Sequence, residues 1–188
     1  MPSVVGVFSV WTVIPLGLRW DVGQYLSVFE KRGITVGKIA RAVLQKIKVE
    51  ESHAPAKIVR VTGADFGLDN NSPVSEICRH ALESGLGLCR PEVALSLREQ
   101  YASQPRGEVL WIAAEPLDSR YGLGYFSVGH DSRGPWLCFG CGGPDCWWGK
   151  ARCALLSPAM QEKLVSMNTC ECAWSRRGND PISVIFEK

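Results

Sequence analysis

The segment CFGCGGPDCWWGKARC, residues 138–153, holds four of the chain's eight cysteines. Cys138 and Cys141 stand at the CxxC spacing of a zinc knuckle. Gly140, Gly142 and Gly143 give the turn room to bring two thiolates to one ion. Zinc then requires a second pair. Cys146 with Cys153 offers one at an irregular spacing, and Cys170 with Cys172 offers another at an uncommon one. On the competing reading, Trp136, Cys138, Phe139 and Trp147 are strand residues, Gly142-Gly143-Pro144-Asp145 is a turn, and Cys153 lies on a returning strand. This cysteine-rich hairpin is the leading expectation. Zinc held by Cys138, Cys141, Cys146 and Cys153 is the alternative. A redox dithiol fits less well, because such a CxxC opens a helix and this one runs into Gly-Gly-Pro.

Nucleophilic catalysis needs a base beside the nucleophile. The three histidines are scattered: His53 in a polar loop, His80 on a helix off its apolar stripe, His130 at a turn. A pair of His130 with Cys141 or Cys146 could form only across a hairpin. Cys78 and Cys89 fall in apolar runs and read as small core residues. Glu92, Glu108, Glu115 and Asp118 show no paired spacing for acid–base work. The expectation is a chain without a catalytic set.

These residues must be positioned by elements legible in the pattern. Asp21 and Gln24 form a capping-box signal for a helix carrying Val22, Tyr25, Leu26 and Phe29, stopped at Gly33. Thr35 is read as the cap of a second helix with the stripe Val36, Ile39, Ala40, Val43, Leu44 and Ile47. KIVRVT at 57–62 is a strand. Ser72-Pro73 opens a third helix, with serine at the cap and proline at N1, and Pro91 opens a fourth, PEVALSLREQY. After residue 107 the period changes to short runs, VLWIAA, YFSV, PWLCF and ARCALL, separated by turn residues. This predicts an α+β fold: two helical pairs packed on a mainly antiparallel β-sheet or meander. Residues 1–157 form the domain. Residues 158–188 are an extension with a short helix (158–167) and a final strand, Ile182 to Phe186.

Net charge is +2 and charged residues make up 21%, so no strong field points to nucleic acid or membrane. The helix pair 21–48 carries Lys31, Arg32, Lys38, Arg41, Lys46 and Lys48. It is read first as a solvated face and second as a helix-turn-helix for nucleic acid. The apolar stretch from Val4 to Leu18 lacks preceding basic residues and is interrupted by Pro15. It is read as a strand, which sets cytoplasmic as the expected location.

The segment LCRPEVALSLREQYASQPRGEVLWIAAEPL, Leu88 to Leu117, resembles a pattern recurring in uncharacterised bacterial proteins of candidate phyla. Cys89, Pro91, Glu92, Val93, Leu97, Arg98, Gln100, Tyr101, Gln104, Pro105, Gly107, Glu108, Glu115 and Pro116 carry the likeness, and Pro144-Asp145-Cys146-Trp147-Trp148 is similar to a turn in the same group. The resemblance implies no activity, cofactor or partner. It implies that the turn and aromatics, and not the cysteines of 138–153, belong to the shared pattern.

Two candidate surfaces follow. Arg98, Gln100, Tyr101, Glu108 and Glu115 are expected as a polar rim at a helix–strand corner, where they brace the corner or bind a small molecule or peptide. In that reading Glu108 and Glu115 reach Arg98 or Arg90. Trp111, Trp136, Trp147 and Trp148 are expected to supply an aromatic partner surface. The reading is a non-enzymatic accessory or protein-interaction domain with an unidentified protein partner, no cofactor and no membrane. The alternative is the zinc module, contacting nucleic acid through helices 21–48.

Overall fold

The computed structural model describes residues 8–49, 55–69, 72–141 and 152–156, with backbone alone for Cys141 and 152–156. In chain order the elements are β1 (Val10–Ile14), α1 (Val22–Lys31), β2 (Thr35–Val36), α2 (Lys38–Leu44), β3 (Ala56–Val61), a short 3-10 helix (Gly63–Phe66), α3 (Val74–Glu83), α4 (Val93–Gln100), β4 (Val109–Ile112), β5 (Leu117–Ser119), β6 (Gly122–Asp131), β7 (Gly134–Cys141) and β8 (Arg152–Leu156).

The strands form one sheet in the order β1-β3-β8-β4-β6-β7-β2, with β5 pairing the start of β6. Pairings are antiparallel except β4 with β8 and β2 with β7. The fold is therefore α+β on a mainly antiparallel sheet, as the pattern predicts.

Side-chain alternation gives the sheet two apolar faces. The first carries Ile14, Ala56, Ile58, Leu110, Ile112, Phe126, Val128, Leu137 and Phe139, and packs against α1, α2 and α4. Tyr25 and Phe29 of α1 are fully buried there, each removing enough apolar area for about 2 kcal/mol or more. The second face carries Val59, Val61, Ala113 and Tyr125 and packs against Val74, Ile77 and Ala81 of α3.

Local signals explain most helix boundaries. The Asp21 side chain accepts from the Gln24 amide at 2.9 Å. Gln24 reaches back one residue further than a standard capping box, to the Trp20 amide at 3.2 Å. Two expectations are corrected. Thr35 does not cap α2: Thr35 and Val36 pair as β2 beside Trp136 and Leu137, and Gly37 precedes the helix. The Gly37 amide bonds the Leu137 carbonyl at 2.9 Å. The β-branched pair Thr-Val finds a strand edge, and that tertiary pairing overrides its place in the helical stripe. Ser72 likewise does not cap α3; Pro73 holds that position, and the Ser72 hydroxyl bonds Asp69 at 3.3 Å.

Cys138 and Cys153 do lie on strands, but those strands do not form a hairpin. β8 inserts between β3 and β4, three strand positions from β7, with β4 and β6 between them. The parallel bridge Trp111↔Cys153 and the antiparallel bridges Trp111↔Ser127 and Ser127↔Cys138 set both cysteines in one row across the sheet.

Candidate functional site

Helix α4 is enclosed by the fold: Val93 to Glu99 are all buried. Its polar side chains are therefore internal and need internal partners. Ser96 meets the Tyr25 hydroxyl at 2.9 Å. Glu99 accepts from Arg19 at 2.6 Å. Arg98, 1% exposed, is the largest fully buried side chain among the described residues. Its Nη1 donates to Gln104 Oε1 at 2.5 Å and to the Gly129 carbonyl at 3.1 Å, and its Nη2 donates to the Tyr101 carbonyl. No carboxylate among the described residues pairs with it, and its Nε finds no hydrogen-bond partner there. Burial lowers its pKa to about 10, so it remains a cation at neutral pH. A planar guanidinium can fan to three oxygens in this way; an ammonium on a flexible stem cannot hold the same geometry.

Gln104 extends the brace. Its Nε2 donates to the Val128 carbonyl at 3.2 Å. Its own carbonyl accepts from His130 Nδ1 at 2.6 Å. A carbonyl only accepts, so Nδ1 carries a proton. Nearer the surface, the Tyr101 hydroxyl donates to Glu108 at 2.7 Å and Arg60 donates to the other Glu108 oxygen at 3.1 Å. The Arg60 guanidinium lies 4.8 Å over the Trp11 ring, and Trp11 meets Tyr101 edge-on at 4.9 Å. Trp11, Arg60, Glu108 and Tyr101 thus close a ring of contacts.

The expected rim is mostly a brace. Arg98 is internal, and Tyr101 and Glu108 are bound to each other. Glu108 turns to Arg60 and not to Arg98. Gln100 is exposed, with its amide on the Ser96 and Pro15 carbonyls at 3.0 and 3.2 Å. Glu115 stands exposed beyond β4. Sequence reasoning missed Trp11 and Arg60, because nothing local ties β1 and β3 to this corner.

On the opposite face of the sheet, past α3, β6 presents Ser127 and Gly129 between two half-buried tryptophans. Trp136 lies over Gly129: a Cβ there would sit well inside 3.0 Å of the indole. Trp111 lies over Gly140, whose added Cβ would come to 2.9 Å of the ring. The glycines are what let the indoles lie flat on the strands. Beside Trp136 opens a cleft of about 420 Å³ lined by Thr35, Val109, His130, Asp131, Trp136 and Cys138. Burial raises the Cys138 thiol pKa, partly opposed by the Gly37 amide, so the group is a neutral thiol at neutral pH. The two regions touch through β6. Arg98 holds the Gly129 carbonyl, and His130 is anchored by Gln104 while lining the cleft.

Trp111 and Trp136 thus share one face. Trp147 and Trp148 lie outside the described residues, as does Cys146. The zinc quartet meets a geometric obstacle. Cys138 and Cys153 are three strand positions apart, about 14 Å between Cα atoms, whereas two cysteines on one zinc reach at most about 10 Å. Among the described residues no group of three or more His, Cys, Asp or Glu side chains could hold a metal. Helices α1 and α2 are separated by β2, so they lack the direct turn of a helix-turn-helix. Among the described residues no helix is long and apolar enough to cross a membrane.

No family model, curated protein or solved structure matches the chain.

Proposed function

We propose that the chain is a non-enzymatic protein-interaction domain whose working surface is the Trp111–Trp136 face and its adjoining cleft. One observation carries the reading: Trp136 is laid over Gly129 at the wall of a cleft shared with Val109, His130, Asp131 and Arg133, and Trp111 is laid over Gly140 on the same face. Flat, preorganised aromatics give a partner large contact area with little side-chain entropy to lose. The rim carries Thr35, His130 and the Asp131–Arg133 ion pair (3.2 Å), polar groups that suit a peptide segment inserting one apolar side chain and bonding at its backbone.

The remaining chemistry supports binding over catalysis. Burial raises the thiol pKa at Cys78, Cys89 and Cys138 alike, and Cys89 is fully enclosed. The buried carboxylates Glu92 and Glu99 and the half-buried Glu108 each face an arginine.

The test is selection of displayed random peptides on the parent protein, with Trp136→Ala as the counter-target. The expected result is a set of peptides sharing an apolar anchor that bind the parent with micromolar Kd and Trp136→Ala at least about tenfold more weakly. Peptides that bind both proteins equally, or no enriched peptides, would overturn the proposal.

A further inference from the structure

β1 is an edge strand among the described residues: it pairs β3 on one side and ends the sheet on the other. Edge strands are usually guarded by charge, proline or a bulge. The sequence of β1 is VWTVI, without a charged residue. A bulge falls between Val10 and Thr12, leaving Thr12 to Ile14 in regular register. Val10 and Val13 stay 43% and 51% exposed, so the strand presents apolar side chains as well as an outer backbone edge.

We infer that this edge is the docking site of the chain's own C-terminal segment, with Ile182 to Phe186 adding as an antiparallel strand on β1. Three observations select this occupant. First, direction: β8 is antiparallel to β3, and β3 to β1, so β8 runs the same way as β1. Leu156 faces Ile58, which faces Thr12, so the chain leaves β8 at the end of the sheet where β1 finishes. A segment returning from that end enters the edge running opposite to β1 without crossing the sheet.

Second, reach: the new strand position is three strand spacings from β8, about 14 Å. Residues 157–181 are available to cover it, and a flexible link of that length has a typical end-to-end span of about 25–30 Å. Third, complementarity: ISVIF alternates Ile182, Val184 and Phe186 against Ser183 and Ile185, a strand pattern that also lacks charge. Pro181 immediately before it is placed where a strand tolerates proline. A tethered strand has millimolar effective concentration, ahead of any partner in solution.

The test is amide hydrogen exchange, followed by mass spectrometry, on the full chain and on Val184→Pro. Successive N–H groups of an added strand face alternately toward and away from β1, so Ile185→Pro is measured beside Val184→Pro, and one of the two removes a ladder donor while leaving β1 itself unaltered. Exchange at residues 10–14 is expected to be at least tenfold faster in that variant, with β3 and β4 unchanged, and independent of protein concentration. A peptide of sequence PISVIFEK added to that variant is expected to restore the protection. Equal exchange in the parent and both variants would overturn the inference. So would protection that grows with concentration, which would make a second copy the occupant. Loss spread equally over β3 and β4 would also overturn it, placing the segment in the core instead of on the edge.

Discussion

The corner around Arg98 and the face around Trp136 lie on opposite sides of β6 and use it in opposite ways. At the corner, polar side chains are turned inward and bound to oxygens of α4, the following loop and β6. On the other side, β6 offers small residues, and large aromatics from β4 and β7 lie across them. The corner holds buried charge and hydrogen-bond donors, and nearly all are consumed internally. At the face, the cleft wall mixes Val109 and Trp136 with Thr35, His130, Asp131, Arg133 and Cys138 and opens to solvent. The buried polar network therefore marks the brace, and the aromatic cleft is the surface proposed for a partner.

The largest expected separation between the two comes from Arg98→Ala. It strips donors from three oxygens, two of them backbone carbonyls, and leaves a cavity. A loss of about 3–5 kcal/mol in urea unfolding is expected, with only partial recovery in Arg98→Lys. A loss below about 1 kcal/mol would mean that the corner is not a brace.

High pH probes the core beneath the tryptophan face. Burial raises Cys78 from an ordinary 9.0 to about 11 and Tyr125 to about 12. Both groups bind their protons more tightly in the fold than in the unfolded chain. Their contribution is complete below pH 9 and is lost as pH rises toward 11 and 12. Unfolding free energy is expected to be flat from pH 7 to 9 and then to fall, by on the order of 2 kcal/mol from Cys78 alone. A Cys78→Ala variant should flatten the first part of that decline.

Gly129→Val tests the face directly. The new side chain collides with the Trp136 indole, so about 1–3 kcal/mol of stability is lost and tryptophan emission shifts as the ring is displaced. Unchanged emission would contradict the stacked placement. Tyr101→Phe is the mildest: it removes one hydrogen bond to a carboxylate that keeps Arg60, and about 1 kcal/mol is expected in the same unfolding assay. Elemental analysis of protein purified without added metal sharpens the contrast further. Less than stoichiometric zinc is expected, whereas one zinc per chain, lost with Cys138 and Cys141 substituted, would move the chemistry back to the cysteines.

Much of the fold was legible because it is local. Helical stripes, the Asp21 cap and the run of short strands after residue 107 follow from neighbours in sequence. What stayed hidden depends on partners far along the chain. Thr35-Val36 reads as helix until β7 is beside it. Cys138 and Cys153 read as a hairpin because nothing in RCALL says that it pairs with KIVRV and VLWI. Arg98 reads as a surface residue because amphipathic spacing cannot reveal a helix covered on every side. Trp111 and Trp136 were legible as aromatics, but their shared face depends on sheet register: Gly129 falls opposite Trp136, and Trp111, opposite Ser127, reaches across to Gly140. Trp11 and Arg60 join the corner only through sheet order.

The most direct test crosses the two regions in one experiment. Affinity for a peptide selected on the parent protein, and urea stability, are measured side by side for Trp136→Ala and for Arg98→Lys at a temperature where both are folded. The expected pattern is opposed: Trp136→Ala loses tenfold or more in affinity and about 1 kcal/mol or less in stability, while Arg98→Lys loses stability and keeps its affinity within about twofold. An Arg98→Lys protein that is as stable as the parent but no longer binds would place the working site at the corner and contradict the account.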